Sequence, residues 1–207
     1  GKVISFELPE LKCIRIDLDC QQSIPDSIPL LVKQILIDDR EDQIAFRDGV
    51  RFVLRLLPFT ITAASMTPSI SLRADSTYLI TGGMGGLGLK TAEWMAHRGA
   101  RHLVLLGRSD PSSRAMSVVE KLRLEGIEVF IALADVSDRG QLKNVFDEIE
   151  SSMPMLRGVI HEAGVLDDGS ILNLNVERMK KVMAPKVDGT WNLHHATLNL
   201  PLDFFVL

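Results

Sequence analysis

One tyrosine, two tryptophans and two cysteines are all that these 207 residues hold of those types. Cys13 and Cys20 match no zinc-ligand spacing and make a poor disulfide framework, so the expectation is two reduced thiols in a cytoplasmic protein. No apolar run approaches the roughly 18–20 residues that a bilayer span needs, and no signal peptide is read at the first residues. Excess positive charge is missing too. A formal net charge of −4 argues against nucleic acid or an anionic membrane as the main partner. Metal-ligand clusters are absent: His194 and His195, beside Trp191, read as packing or capping residues, and no metal is assigned. There is no initiator Met before Gly1-Lys2-Val3, so the chain reads as a fragment. Neither an internal repeat nor a low-complexity segment is found.

What is present is an ordinary globular composition, 46% hydrophobic and 24% charged. The length suffices for one large domain or two small ones. Alternating apolar residues from Leu11 to Leu18 predict a strand. Pro25 and Pro29 punctuate a loop, after which Leu30, Leu31, Ile35 and Leu36 carry helical spacing. Ile44 to Phe46, the Asp48-Gly49 turn and Val50 to Leu56 predict a hairpin. A Thr-, Ser- and Pro-rich linker is expected from Pro58 to Asp75.

From Thr77 the pattern becomes strict strand–helix alternation. Strands are expected at 77–80, 102–106, 129–133, 157–161 and 203–207. Helices are expected from the glycine cluster to about Arg98, at 113–124, at 138–149, and from Val176 to about Leu198 with a break near Pro185. Leu142, Val145, Phe146 and Ile149 share one helical face, and Gly99 and Gly126 stand where helix ends are capped. Such alternation implies βαβ units and a parallel sheet covered on both faces. The predicted fold class is α/β, a Rossmann-type doubly wound parallel sheet.

The strongest motif is Thr81-Gly82-Gly83-Met84-Gly85-Gly86-Leu87-Gly88, between a strand and a helix. Gly82, Gly86 and Gly88 fit TGxxxGxG, while Gly83, Gly85 and Gly88 fit GxGxxG. Glycines let the backbone turn sharply and approach a diphosphate, and N–H groups at the helix start then hold the anion. A glycine-rich turn without a ligand is the bland alternative. About twenty residues on, where NAD-binding folds place an acidic residue, stand Arg108 and Ser109. A guanidinium attracts the 2′-phosphate that a carboxylate would repel, so NADPH is favoured over NADH. Asp135 and Val136, ending the third strand of the alternation, suit the adenine edge. Ala163 and Gly164, after the fourth, suit the nicotinamide ribose. An Asp after a strand is otherwise a turn or helix cap. All four loops fall on one carboxyl edge, where doubly wound folds bind ligands.

Together with Leu105-Leu106-Gly107-Arg108-Ser109, Ala134-Asp135-Val136-Ser137-Asp138, Val159-Ile160-His161, Ala163-Gly164-Val165-Leu166-Asp167-Asp168-Gly169 and Ala184-Pro185-Lys186-Val187-Asp188-Gly189, the glycine signature resembles the ketoreductase domain of a modular polyketide synthase. Under that resemblance residues 1–72 are the rear part of a smaller, cofactor-free structural subdomain, and residues 73–207 the front of the NADP(H)-binding catalytic subdomain. Lys186 matches the catalytic lysine, whose ammonium stabilises the phenolate a proton-donating tyrosine leaves behind. Leu166-Asp167-Asp168 resembles the motif of B-type enzymes, which makes Asp168 the marker of stereocontrol. The implied partners are an acyl carrier protein bearing a β-ketoacyl thioester and neighbouring synthase domains.

Two features depart from the family pattern. The family's Ser, Tyr and Asn are expected beyond Leu207, and the single Tyr78 lies ahead of the glycine loop, where it cannot act as the acid. Glu162 stands where the family has a small residue. The implied activity is NADPH-dependent reduction of a carrier-bound β-ketoacyl thioester to the β-hydroxyacyl product. A non-catalytic scaffold that keeps the fold is the second reading, and an extended short-chain enzyme such as a sugar-nucleotide epimerase is the third.

Overall fold

The computed structural model describes residues 2–37, 39–59 and 71–207. Most of the expected Pro58–Asp75 linker lies outside the described residues. The described chain divides into two compact units. One holds the residues up to Phe59 together with Gly169–Asn173; the other holds those from Ser71 to Asp168 and Leu174–Leu207.

In the first unit the elements are α1 (Lys2–Glu7), a 3-10 turn (Pro9–Leu11), β1 (Arg15–Asp17), α2 (Ile24–Leu36), β2 (Gln43–Arg47) and β3 (Val50–Val53). The alternation from Leu11 to Leu18 thus yields only three residues of strand. The loop expected around Pro25 and Pro29 is instead helical. Ser23 accepts the Asp26 N–H at 3.4 Å, and Pro25 occupies the first turn, where a missing N–H leaves no bond unmade. Pro29 lies inside α2. The hairpin forms as expected, with β3 shorter than the Val50–Leu56 run. Asp48 and Gly49 take φ values of 49° and 75° and turn β2 into antiparallel pairing with β3.

The second unit runs β4 (Thr77–Thr81), α3 (Gly86–His97), β5 (His102–Gly107), α4 (Ser113–Leu124), β6 (Glu128–Leu133), α5 (Arg139–Ser152), β7 (Leu156–His161), α6 (Val176–Lys186), α7 (Asp188–Thr197) and β8 (Phe204–Val206). Its five parallel strands take the order β6-β5-β4-β7-β8. All five residues of β4 are buried, as a central strand covered on both faces requires. Side chains of β4 alternate between two cores. Tyr78 and Ile80 meet Leu89, Met95, Val119 and Leu122 of α3 and α4; Leu79 meets Leu142, Val145, Ile149 and Leu193 of α5 and α7. The doubly wound α/β sheet is the fold.

The long helix expected from Val176 is two helices. The break falls at Val187, two residues past Pro185. Gly99 and Gly126 take φ values of 110° and 81°, as helix-ending glycines do. Among the described residues no helix is long and apolar enough to cross a membrane, and Cys13 and Cys20 are free.

Candidate functional site

The chain moves from β4 outward to β5 and β6, then returns to place β7 on the other side of β4. That reversal opens a crevice beyond the carboxyl ends of the strands, the general ligand position of such sheets. Here it measures about 90 Å³. Gly82, Arg108, Asp135, Val136, Ala163 and Gly164 all line it, so residues from four strand ends converge. Leu106, Gly107, Ala134, Val165 and Pro185 complete the lining; sequence reasoning missed them as site residues. A larger apolar groove of about 950 Å³, between α5 and α7, holds none of the sequence-predicted residues.

The glycine turn divides by role. Gly82 takes φ +68°, which side chains rarely tolerate. Gly83 and Gly88 are buried, and a Cβ on Gly88 would lie 2.4 Å from the Gly82 carbonyl oxygen. These residues pack α3 onto the turn. Gly85, Gly86 and Leu87 are exposed, and a Cβ on Gly86 would meet nothing within 4 Å. Helix α3 starts at Gly85 with no side-chain cap, whereas Ser112, Asp138 and Asn175 cap α4, α5 and α6. The bare, solvent-facing start of α3 is a cradle that fits a diphosphate, with N–H donors and the positive helix end directed at it.

Arg108 follows β5 at the crevice wall with its side chain 56% exposed, and its Nη1 is 3.8 Å from Asp135 Oδ2. An ion pair this long and exposed contributes at most about 1 kcal/mol, so the guanidinium can be redirected to a phosphate at little cost. Ser109 is exposed and does not line the crevice. Asp135 Oδ1 accepts the Ser137 N–H at 2.9 Å and hydroxyl at 2.6 Å, closing a local turn. Burial opposes ionisation of Asp135, but the Ser137 donors and the Arg108 charge outweigh it and hold the carboxyl below its ordinary value. Val136 is 2% exposed and packs on Gly189, so its side chain is a core group more than an adenine contact.

Thr81 is also turned inward. Its hydroxyl accepts the Ala163 N–H at 3.2 Å and stands 2.6 Å from His161 Nδ1. His161 Nε2 reaches the Pro185 carbonyl at 2.9 Å. Burial pushes the His161 pKa below its ordinary value, against the Pro185 carbonyl, which raises it. The ring is therefore neutral at pH 7.

Lys186 is the last residue of α6, one position beyond the crevice-lining Pro185, and is exposed. Its Cε lies 4.0 Å from where a Gly164 Cβ would stand, so the side chain extends toward the loop after β7. Asp168 is exposed and outside the crevice lining. The neighbouring Asp167 anchors its loop: Arg178 Nη2 and Nε donate to Asp167 Oδ1 at 2.6 and 2.8 Å, and Nη2 donates to the Asp168 carbonyl at 2.7 Å. The Arg178 guanidinium, with help from Lys181, holds the Asp167 carboxyl below its ordinary value despite desolvation. Glu162 turns to α3, where its Oε1 accepts the Thr91 hydroxyl at 2.6 Å. Tyr78 is buried, stacked on Phe204, and accepts the Arg73 N–H at 2.7 Å.

The chain resembles known proteins over nearly its whole length. A family model described as KR domain matches residues 76–207. A phenolphthiocerol/phthiocerol polyketide synthase of Mycobacterium tuberculosis is 33% identical over 206 residues, 99% of this chain and 11% of that protein. A ketoreductase domain from the bacillaene assembly line superposes with a TM-score of 0.80 at 33% identity, covering 99% of this chain and 48% of that one. An A-type ketoreductase from a modular polyketide synthase gives 0.81 at 30% identity, covering 99% and 43%. The chain therefore spans about a tenth of that curated relative and under half of either solved chain. Its match over residues 76–207, more than half of its length, makes this chain a member of the KR domain family, the ketoreductases of polyketide synthases.

Proposed function

We propose that the crevice binds NADPH, and that the chain serves the reduction of a β-ketoacyl thioester, carried on an acyl carrier protein, to the β-hydroxyacyl product. The convergence of Gly82, Arg108, Asp135, Ala163 and Gly164 on one crevice carries this reading. Gly85, Gly86, Leu87 and Gly88 present the start of α3 to the diphosphate, while Gly82 and Gly83 let the turn approach it. Arg108, followed by Ser109, holds the 2′-phosphate. Asp135 and Val136 border the adenine, Val136 through its backbone, and Ala163 and Gly164 pass beside the nicotinamide ribose. Thr81 contributes by holding Ala163. When bound, NADPH supplies the hydride.

Lys186 supports the acid. The tyrosine that the family resemblance places beyond Leu207 gives its proton to the carbonyl oxygen, and the ammonium stabilises the phenolate that remains. Each unit by which the tyrosine pKa is lowered corresponds to about 1.36 kcal/mol. Asp168, on the loop that Asp167 and Arg178 pin to α6, marks the enzyme as B-type. Residues 1–72 belong to the smaller subdomain, residues 73–207 to the catalytic one, and neighbouring synthase domains are the partners.

Full-length polypeptide is expected to oxidise NADPH in the presence of a β-keto thioester and to give one configuration of hydroxyl product, read by chiral chromatography. Tight NADPH binding without turnover would defeat the catalytic reading and leave a scaffold. Product of the opposite configuration would remove the B-type assignment alone.

A further inference from the structure

Lys186 ends a helix that buries a single residue, Pro185. The first turn of α6 is tied down by Arg178 on Asp167. Near its last turn the Pro185 carbonyl accepts from His161 at 2.9 Å, and the Lys186 carbonyl accepts the Thr190 hydroxyl of α7 at 2.6 Å. We propose that His161 is a positioning residue for the reaction: through the Pro185 carbonyl it sets where Lys186 stands, and Thr81 fixes the imidazole tautomer that makes this possible. The inference rests on the catalytic reading of Lys186 given above.

The direction of the bonds follows from what each group can do. A carbonyl only accepts, so the hydrogen must sit on His161 Nε2. In the neutral ring Nδ1 is then an acceptor, and the Thr81 hydroxyl 2.6 Å away is its donor. Thr81 Oγ1 can still accept, and the Ala163 N–H fills that place at 3.2 Å. Donation therefore runs one way, from Ala163 to Thr81 to His161 to Pro185. Each link ends one residue from a site position: Thr81 precedes Gly82, Ala163 precedes Gly164, and Pro185 precedes Lys186.

The three anchors are not equally firm. Thr81 and His161 are paired across the centre of the sheet, and β4 is held by strands on both sides. Helix α6 has no such support along its length, since Pro185 alone is buried. Breaking the chain of bonds therefore moves the lysine more than the cofactor-binding turn. A histidine that merely filled the core would instead weaken folding and nucleotide binding together. The opposite tautomer would also undo the arrangement, because Nε2 would then face the carbonyl oxygen without a hydrogen.

The test uses His161→Phe, which keeps a ring, Thr81→Val, which removes only the hydroxyl's bonds, and Thr81→Ser, which restores them. In the full-length polypeptide, His161→Phe and Thr81→Val are expected to lower kcat by roughly a hundredfold, with KM for NADPH changed far less and Thr81→Ser close to wild type. Separately, 15N imidazole shifts of the 207-residue chain should show Nε2–H and bare Nδ1 from about pH 7 to about pH 8. The Lys186 13Cε resonance should shift in Thr81→Val. Wild-type kcat in both disruptive variants, an Nδ1–H tautomer, or an unmoved Lys186 resonance would each overturn the proposal. If the wild-type polypeptide binds NADPH but never turns over, the catalytic reading fails by itself, and the tautomer and the lysine resonance still decide the joint.

Discussion

A Gly88→Ala chain is expected to lose measurable NADPH binding and about 1–3 kcal/mol of stability. The added methyl carbon would lie 2.4 Å from the Gly82 carbonyl oxygen and 2.5 Å from Gly83 Cα. Both are backbone atoms, so no side chain can swing aside. Helix α3 must slide away from the turn instead. That movement carries off the N–H groups proposed to hold the diphosphate and parts Leu89 and Met95 from the strands they cover. Gly86→Ala is the control, because its methyl carbon meets nothing within 4 Å. Its folding stability should match wild type while nucleotide binding falls, since the methyl group occupies the exposed face of the cradle. Urea denaturation and calorimetric titration read the two effects separately. A Gly88→Ala chain that binds as wild type does would show that the close packing of α3 on the turn is not needed.

Lys186→Ala, in the full-length polypeptide, should lower kcat by about 10²–10⁴-fold with KM for NADPH nearly unchanged. The side chain lies beyond the crevice lining and extends toward Gly164. Under the proposed function it acts on charge that develops during the reaction, not on the cofactor's phosphates. In the proposed mechanism, losing the ammonium leaves the tyrosine phenolate unsupported, and the alkaline limb of the pH–rate profile should move to higher pH. The measurement is kcat against pH for both proteins. A variant that loses NADPH affinity in proportion to its rate would place the lysine in binding instead of catalysis.

The five-stranded sheet was legible because each of its strands is a short apolar run bounded by glycine or a helix signal. The stretch from Leu142 to Ile149 shows why period is a reliable guide: Leu142, Val145 and Ile149 are all buried on one face. The first unit was harder. Its helix α2 begins in a segment where two prolines imitate a loop, and the cue that could have found it was Ser23 three residues before Asp26, a capping pair. Leu11 to Leu18 alternates like a strand, yet only Arg15–Asp17 finds a partner, β2. Periodicity reports which face is apolar, not whether a neighbouring strand is there to pair.

At the site, the convergence of loops follows from the fold alone, and so it could be read in advance. Side-chain direction could not. Thr81 and Val136 belong to motifs that border the crevice, yet both point inward, and Asp135 closes a turn on Ser137 while facing Arg108. The His161 joint depends on the pairing of Thr81 with His161, eighty residues apart in the chain and adjacent only once β7 has returned to the side of β4. The expected helix break near Pro185 was close to its true place, but the reason was not visible. The Pro185 carbonyl faces a buried imidazole, and the turn into α7 brings Gly189 against Val136 and His161.

Whether the crevice selects a phosphorylated dinucleotide is tested most directly by fluorescence titration of NADPH and NADH against the wild-type chain and Arg108→Ala. A charge-assisted hydrogen bond contributes about 1.5–3 kcal/mol, so wild type should bind NADPH at least about tenfold more tightly than NADH. Arg108→Ala should erase that preference while leaving NADH affinity as it was. Equal affinity of the wild-type chain for both nucleotides, or a preference that survives the loss of Arg108, would contradict the account.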